Sequence, residues 1–481
     1  MKDIPQNKYD LIVIGAGSGG LSVGLFMAKL GLKILMIAKS AQEIGGECLN
    51  DGCVPSKALI HVSRMVHNAN QASEFGLEMV GKVDIEKAIG YVHSRQELIR
   101  RHENATWLRD QGIEVELGEA TFSGRNEITV NERKFCAKKI VLATGSKPRK
   151  LVVPGVELVT YFDNENIFHI DHLPDSMLVV GAGPIGIEIA QALSRLGTKI
   201  TVIDEGDRIL AHDDEELTTV LLQKLEAEGI EFYFNVTLQE FTSANDAELK
   251  SKTGELIKLH FGAVFVGIGR ILVLEPLQLQ QAGIEVKGNK IVVDKKLRTT
   301  NKDVLVCGDI AGDLQFSHAA EFHARIILNN FFSPFKKKLD NKYMSWVTFT
   351  DPELATFGMS EKEMNKRGIS FRKVEQDFST DDRAITDNYQ YAKLILYVSI
   401  GGWFRKQIIL GGTMIAPNAG ELVQELILAN SNKISLKAIF NKIYPYPTAT
   451  RVNQQLVIKL KEATLTPMVK ALLHKVYNFL N

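Results

Sequence analysis

An α/β protein with two Rossmann-like dinucleotide-binding domains and a separate C-terminal α+β domain is the fold class that the sequence predicts. Two observations carry the first part: a strand–glycine loop–helix–strand pattern over residues 9–37, and its recurrence over residues 177–203. A third carries the rest. From Ser345 onward, strand-like and helical runs alternate without any glycine fingerprint. A chain of 481 residues is also too long for one hydrophobic core and implies roughly two to four domains.

The first unit opens with Leu11-Ile12-Val13-Ile14, a continuous apolar run of the kind that a strand buried on both faces requires. Gly15, Gly17 and Gly20 follow at GxGxxG spacing, then a helical segment to Leu30 and a second strand over 33–37. The run from Leu11 to Ala28 carries no charge and nominally reaches membrane-spanning length, but its glycine punctuation and the lack of a basic start argue against a span or an export signal. The second unit repeats the order: a strand over 177–180, Gly181, Gly183 and Gly186, a helix over 187–196, and a strand over 199–203. One such motif is weak evidence; two copies in the same context imply two dinucleotide sites.

The copies differ where a ribose-binding acid is expected, about twenty residues after the first glycine. In the second copy that place holds Asp204 with Glu205 beside it, which favours NAD(H) over NADP(H); no arginine occupies the strand end, although Arg208 is near. In the first copy the equivalent residue is Ala38.

Between the units, residues 84–110 read as one charged helical stretch, and 114–117, 127–130 and 140–145 as short strands, the last ending in a turn. After the second unit come the Gly267-x-Gly269-Arg270 turn and a strand over 304–306 closed by Gly308-Asp309, where the aspartate is placed to accept from a sugar or ribityl hydroxyl. In the C-terminal part, strands are expected over 394–398 and 407–413, and helices over 420–429 and 436–440. Thr466-Pro467 starts a final helix as cap and first-turn residue. Leu465, Val469, Leu472, Leu473, Val476 and Leu480 form its apolar stripe, which reads as packing against the protein itself or a partner subunit, with a membrane surface as the alternative.

The chemistry concentrates in Gly45-Gly46-Glu47-Cys48-Leu49-Asn50-Asp51-Gly52-Cys53-Val54-Pro55-Ser56-Lys57. Two cysteines with four residues between them, set among glycines on a loop and the first turn of a helix, suit an exposed and reducible dithiol. Only Cys136 and Cys307 accompany them, both expected as packed core thiols. Four cysteines are too few for a disulfide-stapled secreted fold, so a reducing, cytoplasmic setting is expected. No second cysteine or histidine pair has zinc-site spacing, and no resident metal is expected. A formal net charge of zero without long basic blocks argues against nucleic acid as a partner.

These motifs, with Ala143-Thr144-Gly145-Ser146 and Thr350-Asp351-Pro352-Glu353, resemble the FAD-dependent pyridine nucleotide–disulfide oxidoreductases (class I), which include dihydrolipoyl dehydrogenase, glutathione reductase and mercuric(II) reductase. The resemblance covers nearly the whole chain. It implies FAD on the first unit and NAD(P)H on the second, over an FAD-binding part at 1–155 completed by 273–344, an NAD(P)-binding domain at 156–272, and a dimerisation domain at 345–481 that makes a homodimer. It further implies Cys53 against the flavin, Cys48 as the interchange thiol, and Lys57 near the flavin paired with Glu188. Gly46, Ala120, Thr144, Gly145, Asp309 and Ser317 match positions that line FAD, and Gly269 one near the nicotinamide dinucleotide.

The departures are specific. Dihydrolipoyl dehydrogenase and glutathione reductase carry a His-Pro-Thr segment with a glutamate five residues after the histidine; here Tyr446 stands for the histidine and Arg451 for the glutamate. A tyrosine is no base at neutral pH, so exchange with lipoamide or glutathione is expected to be impaired. Tyrosine at this place resembles mercuric reductase, yet no cysteine follows Cys307 to hand a metal inward. The expected function is electron transfer from NAD(P)H through FAD and Cys48–Cys53 to a metal ion, quinone or small electrophile. A dihydrolipoyl dehydrogenase with an atypical acid–base group, or a redox-sensing flavoprotein with little turnover, are the alternatives.

Overall fold

The computed structural model describes residues 8–401 and 406–481. Its internal contacts divide the chain into two compact units: Met1–Asp207 with Gly229–Asp340, and Arg208–Glu228 with Asn341–Asn481.

In the first unit, β1 (Lys8–Ile14), α1 (Ser18–Lys29) and β2 (Ile34–Ala38) form the first dinucleotide motif. The chain continues through a one-turn helix α2 (Gly46–Asn50) and the long α3 (Cys53–Gln71). The stretch read as one helix is two, α4 (Ile85–Arg100) and α5 (Ala105–Asp110), because Asn104 leaves helical geometry and caps the second by accepting from the Trp107 N–H at 2.9 Å. Strands β3 (Ile113–Leu117), β4 (Thr121–Gly124), β5 (Glu127–Val130) and β6 (Arg133–Leu142) follow. β6 starts seven residues before the sequence signal at Ile140, since its first half alternates between solvent and core in a hairpin with β5, while its last three residues are fully buried.

The second motif is β7 (Ser176–Val180), α6 (Pro184–Leu196) and β8 (Lys199–Asp204), extended by β9 (Glu231–Phe234) and β10 (Ala263–Val266). β11 (Val304–Val306) and α7 (Ser317–Phe332) close the unit. The first sheet has the order β3-β2-β1-β6-β5-β4, with β11 also paired to β6. β1 runs parallel to both β2 and β6, so Leu11 to Val13 are buried on both faces, as their uninterrupted apolar run requires. The second sheet places β7 between β8 and β10, again in parallel.

The second unit centres on an antiparallel sheet of β12 (Ser345–Thr348), β13 (Glu353–Gly358), β14 (Phe371–Asp377), β15 (Lys393–Ser399) and β16 (Ile409–Ala416), ordered β12-β13-β16-β15-β14. The helix Glu215–Ala227, which the sequence places near the second motif, belongs here. Buried Asp213 just before it accepts from Trp346 Nε1 at 2.8 Å and Thr356 Oγ1 at 2.7 Å. The helix expected over 420–429 is two, Ala419–Leu422 and Gln424–Ser431, divided at Val423. α8 (Arg451–Glu462) packs on this sheet, and α9 (Pro467–Leu480) follows with no buried residue, so of the two packings expected, on the protein itself or on a partner subunit, the first does not occur.

Candidate active site

α2 and α3 position the two thiols. Gly45 and Gly46 adopt φ of +92° and +63°, where a side chain is strained, and a Cβ on Gly46 would stand 2.6 Å from the Gly17 Cα. The redox turn therefore lies backbone to backbone on the first fingerprint loop. Cys48 sits inside α2 rather than on a loop, and Cys53 is the first residue of α3. Both are free thiols, hydrogen-bonded to each other. That bond, the Ser317 hydroxyl 3.5 Å from Cys53 Sγ, and the Lys57 charge hold the Cys53 thiol down to about 6 against desolvation. Cys48 is pushed up by the same bond and by burial. The pair thus shares one proton, kept on Cys48, with the thiolate at the positive end of α3.

Lys57 Nζ donates to Glu188 Oε2 at 2.7 Å, joining α3 to α6 of the second motif. Glu188 is almost wholly buried, and this partner makes its charge tolerable.

A second ionic group was not foreseen. Glu47, immediately before Cys48, receives both terminal nitrogens of Arg270 in a bidentate pair, and Asn164 Nδ2 donates to it at 2.8 Å. Arg270 also donates through Nε to Ser146 Oγ at 2.7 Å, and Ser146 in turn donates to Asp309 Oδ2 at 2.5 Å. Burial pushes the Glu47 carboxyl up to about 7, partly offset by Arg270, and burial likewise raises Asp51 to about 6. Glu47 and Arg270 both stand in recognised motifs, but 223 positions separate them, so no local pattern could pair them.

The expected cofactor positions show where a dinucleotide fits. A Cβ on Gly15 or Gly20 would meet backbone oxygens at 2.2 and 2.0 Å, and one on Gly186 would stand 2.0 Å from the Gly181 oxygen. Gly20 and Gly186 thus close each loop on its own helix, and Gly15 lies against the Ala143 carbonyl after β6. Gly145, Gly183 and Gly269 instead have no protein atom within 4 Å of a Cβ, leaving the space that a bound group needs. Beside Gly308-Asp309, the buried His323 accepts from the Gly308 N–H at 3.2 Å through Nδ1, while its Nε2 has no hydrogen-bond partner among the described residues. This donor set and the open glycine edges fit FAD at the first motif and a nicotinamide dinucleotide at the second. Ala120 is buried at the sheet and Thr144 is exposed.

Asp204 is turned inward: Oδ2 accepts from the Ala182 N–H at 2.7 Å and Oδ1 from the Gly206 N–H at 2.6 Å, while Glu205 is exposed. Arg208 spends its terminal nitrogens on the Ala211 and Asp213 carbonyls and the Thr218 hydroxyl. Ala38 is buried at the end of β2, and neighbouring Lys39 reaches Glu119 at 2.9 Å.

Tyr446 lies in the second unit. Its hydroxyl donates to Asp382 Oδ2 at 3.0 Å, which with the Asp382 charge raises its pKa, and Arg451 stacks 4.9 Å from its ring. Of the two cysteines expected in the core, Cys307 is buried and pushed up to about 12, but Cys136 is only half-buried, on the hairpin face of β6, 3.9 Å from Glu127.

Comparison with known proteins agrees with this geometry. The pyridine nucleotide-disulphide oxidoreductase model matches residues 9–324, and the dimerisation-domain model of the same enzymes matches residues 344–456. The chain is 30% identical over 463 residues to a dihydrolipoyl dehydrogenase of Mycoplasma genitalium, covering 92% of this chain and 96% of that protein. It is 26% identical over 449 residues to a mercuric reductase of Lysinibacillus sphaericus, covering 92% and 81%. In fold it is similar to the HOCl-induced flavoprotein disulfide reductase RclA from Escherichia coli, at TM-score 0.82 and 23% identity over 94% of this chain and 99% of that one.

Proposed function

Because the chain belongs to the FAD-dependent pyridine nucleotide–disulfide oxidoreductases, we propose that it carries electrons from NADH through FAD to Cys48–Cys53 and on to an acceptor that requires no histidine base: a metal ion, a quinone or a small electrophile. The observation that carries this reading is a dithiol poised as thiol and thiolate in a chain whose Tyr446, standing in sequence where dihydrolipoyl dehydrogenase has its histidine, commits its hydroxyl to Asp382 and is held above its ordinary pKa.

When bound, FAD supplies the two-electron relay between the nicotinamide and the disulfide. The chain's own groups divide the remaining work. Opening the disulfide consumes two electrons and one proton, leaving Cys53 as thiolate and Cys48 as thiol. The N-terminus of α3, Ser317 and Lys57 favour the Cys53 anion, and Glu188 keeps the Lys57 ammonium in place. Cys48, the member that retains the proton, is assigned to meet the acceptor. A soft metal ion as substrate suits the two sulfurs and displaces the Cys48 proton to solvent as the metal–sulfur bond forms, so no side-chain base is needed. The Glu47–Arg270–Ser146–Asp309 chain of contacts fixes the turn bearing Cys48 to the FAD-lining strand end.

Preference for NADH rests on exposed Glu205 at the β8 end and on Arg208 being spent elsewhere. With Asp204 engaged by two backbone amides, Glu205 is the ribose acid in this reading. Self-association as a homodimer is proposed through the residues that match the dimerisation model.

A single acceptor screen with NADH tests the reading: lipoamide, glutathione disulfide, Hg²⁺, Cu²⁺ and quinones, each with the native protein and with Cys48→Ser. Turnover confined to metal ions, quinones or electrophiles and lost in Cys48→Ser is expected. Vigorous lipoamide turnover would instead make the protein a dihydrolipoyl dehydrogenase with an atypical base. No turnover with any acceptor would make it a redox sensor.

A further inference from the structure

α9 is the one long helix among the described residues from which no side chain is buried. Thr466 caps it by accepting from the Val469 N–H, and Pro467 opens it, so its helical state is encoded locally rather than imposed by packing. At 3.6 residues per turn, its apolar side chains run from Met468 and Phe479 at one margin through Leu472, Val476 and Leu480 to Leu473 and the Tyr477 ring, covering about half the circumference. Met468 and Phe479 are more than four-fifths exposed. Lys475 borders this face on one side and Lys470 on the other, with His474 and Asn478 opposite. No aspartate or glutamate occurs from Ala463 to Asn481.

We propose that α9 is a membrane-surface helix, lying in the plane of an anionic bilayer and docking the enzyme on it. Each feature fits that occupant. Apolar residues spanning half the circumference match the shallow depth of the interfacial region, and lysines at both margins reach phosphate groups while their stems stay with the acyl chains. Net positive charge without a single acid complements an anionic headgroup layer. The helix is too short to cross, and no helix of the described residues is long and apolar enough to do so.

A separate segment, in the first unit, carries the same chemistry. After α7 the sequence runs Phe331-Phe332-Ser333-Pro334-Phe335-Lys336-Lys337-Lys338; Phe335 is almost fully exposed, Phe332 more than half, and the three lysines are exposed. Exposed aromatic side chains followed by a basic run are again the combination that a lipid interface selects.

A second copy of the chain fits less well. Pairing α9 with itself sets lysine margins against lysine margins with no acid between them. The dimerisation match ends at residue 456, eleven residues before α9.

The test uses the full FAD-loaded chain, sedimented with phosphatidylcholine vesicles with and without phosphatidylglycerol, in low and high salt. Binding to the phosphatidylglycerol vesicles is expected, weakened by salt and absent with phosphatidylcholine alone. Leu472→Asp/Val476→Asp should lose it, and Lys470→Glu/Lys475→Glu should weaken it at least tenfold, both with unchanged NADH oxidation by a soluble acceptor, since α9 contributes nothing to the core. Failure of the native protein to sediment, or equal sedimentation with uncharged vesicles, overturns the proposal. So does dissociation of the oligomer by Leu472→Asp/Val476→Asp in light scattering, which would show that a second copy covers the face. None of these outcomes depends on which acceptor the dithiol serves.

Discussion

Cys53 and Glu47 show how differently two residues of one turn can be read. The setting that lowers the Cys53 thiol was legible in sequence, because a helix start, a nearby lysine and a second cysteine are all local. Its ordinary thiol pKa falls to about 6 in this setting, so the reduced protein holds a thiolate through the neutral range and loses it as pH drops through about 6. The thiolate-dependent long-wavelength absorbance of the two-electron-reduced protein should follow that titration and vanish in Cys53→Ser. A band that survives in Cys53→Ser would return the assignment to Cys48. Glu47 was illegible because its partner is far away in sequence. Replacing it with alanine leaves the Arg270 guanidinium, itself only 9% exposed, with only the more distant Asp309 carboxylate, 3.8 Å from Nε. A charged hydrogen-bonded partner of this kind is worth about 2 kcal/mol. Glu47→Ala should therefore lower the thermal midpoint and slow reduction of the disulfide together, whereas Glu47→Gln, which keeps one hydrogen bond, should recover part of both. A stable, fully active alanine variant would show that the pair holds nothing in place.

At the scale of elements, the two glycine motifs were the most legible part of the chain, and the structure explains why. In each, the third glycine faces the first across a gap that no Cβ enters: Gly20 against the Gly15 oxygen and Gly186 against the Gly181 oxygen, both at 2.0 Å. Backbone contact of this sort leaves no alternative residue, so the pattern survives in the sequence. Element boundaries were less legible where a tertiary partner sets them. β6 is long because it pairs with β5, and the helix Glu215–Ala227 leaves the second motif because Asp213 is held by Trp346 and Thr356. The equivalence of the motifs makes a paired prediction. Gly186→Ala should push α6 off its loop at a cost of about 1–3 kcal/mol, raising the KM for NADH while FAD content stays normal. Gly20→Ala should do the reverse, lowering FAD content with the NADH site unaltered. Loss of FAD in Gly186→Ala, measured by absorbance, would refute the division of cofactors between the motifs.

For the whole molecule, the open matter is what leaves the dithiol, and here the informative residues are those that differ from the family's histidine and glutamate. Tyr446 is two-thirds exposed, donates its hydroxyl to Asp382 and carries Arg451 against its ring; with its pKa raised it stays a neutral phenol, too weak a base to take a thiol proton at neutral pH. General base catalysis by a positioned side chain contributes about 10²–10⁴-fold. NAD⁺ reduction by dihydrolipoamide should accordingly run slower than acceptor reduction by NADH by a factor of that size. The same reasoning names the repair. Tyr446→His with Arg451→Glu restores an imidazole and a carboxylate five residues apart, and should raise kcat/KM for dihydrolipoamide at least tenfold while leaving NADH oxidation with a metal ion or quinone unchanged. The gain should appear as pH rises through the imidazole range, since only the neutral ring accepts the proton. A double variant no faster than the native protein, or a native protein that already oxidises dihydrolipoamide rapidly, would mean that a base outside residues 446–451 serves the dithiol, and the acceptor would then have to be sought among disulfides.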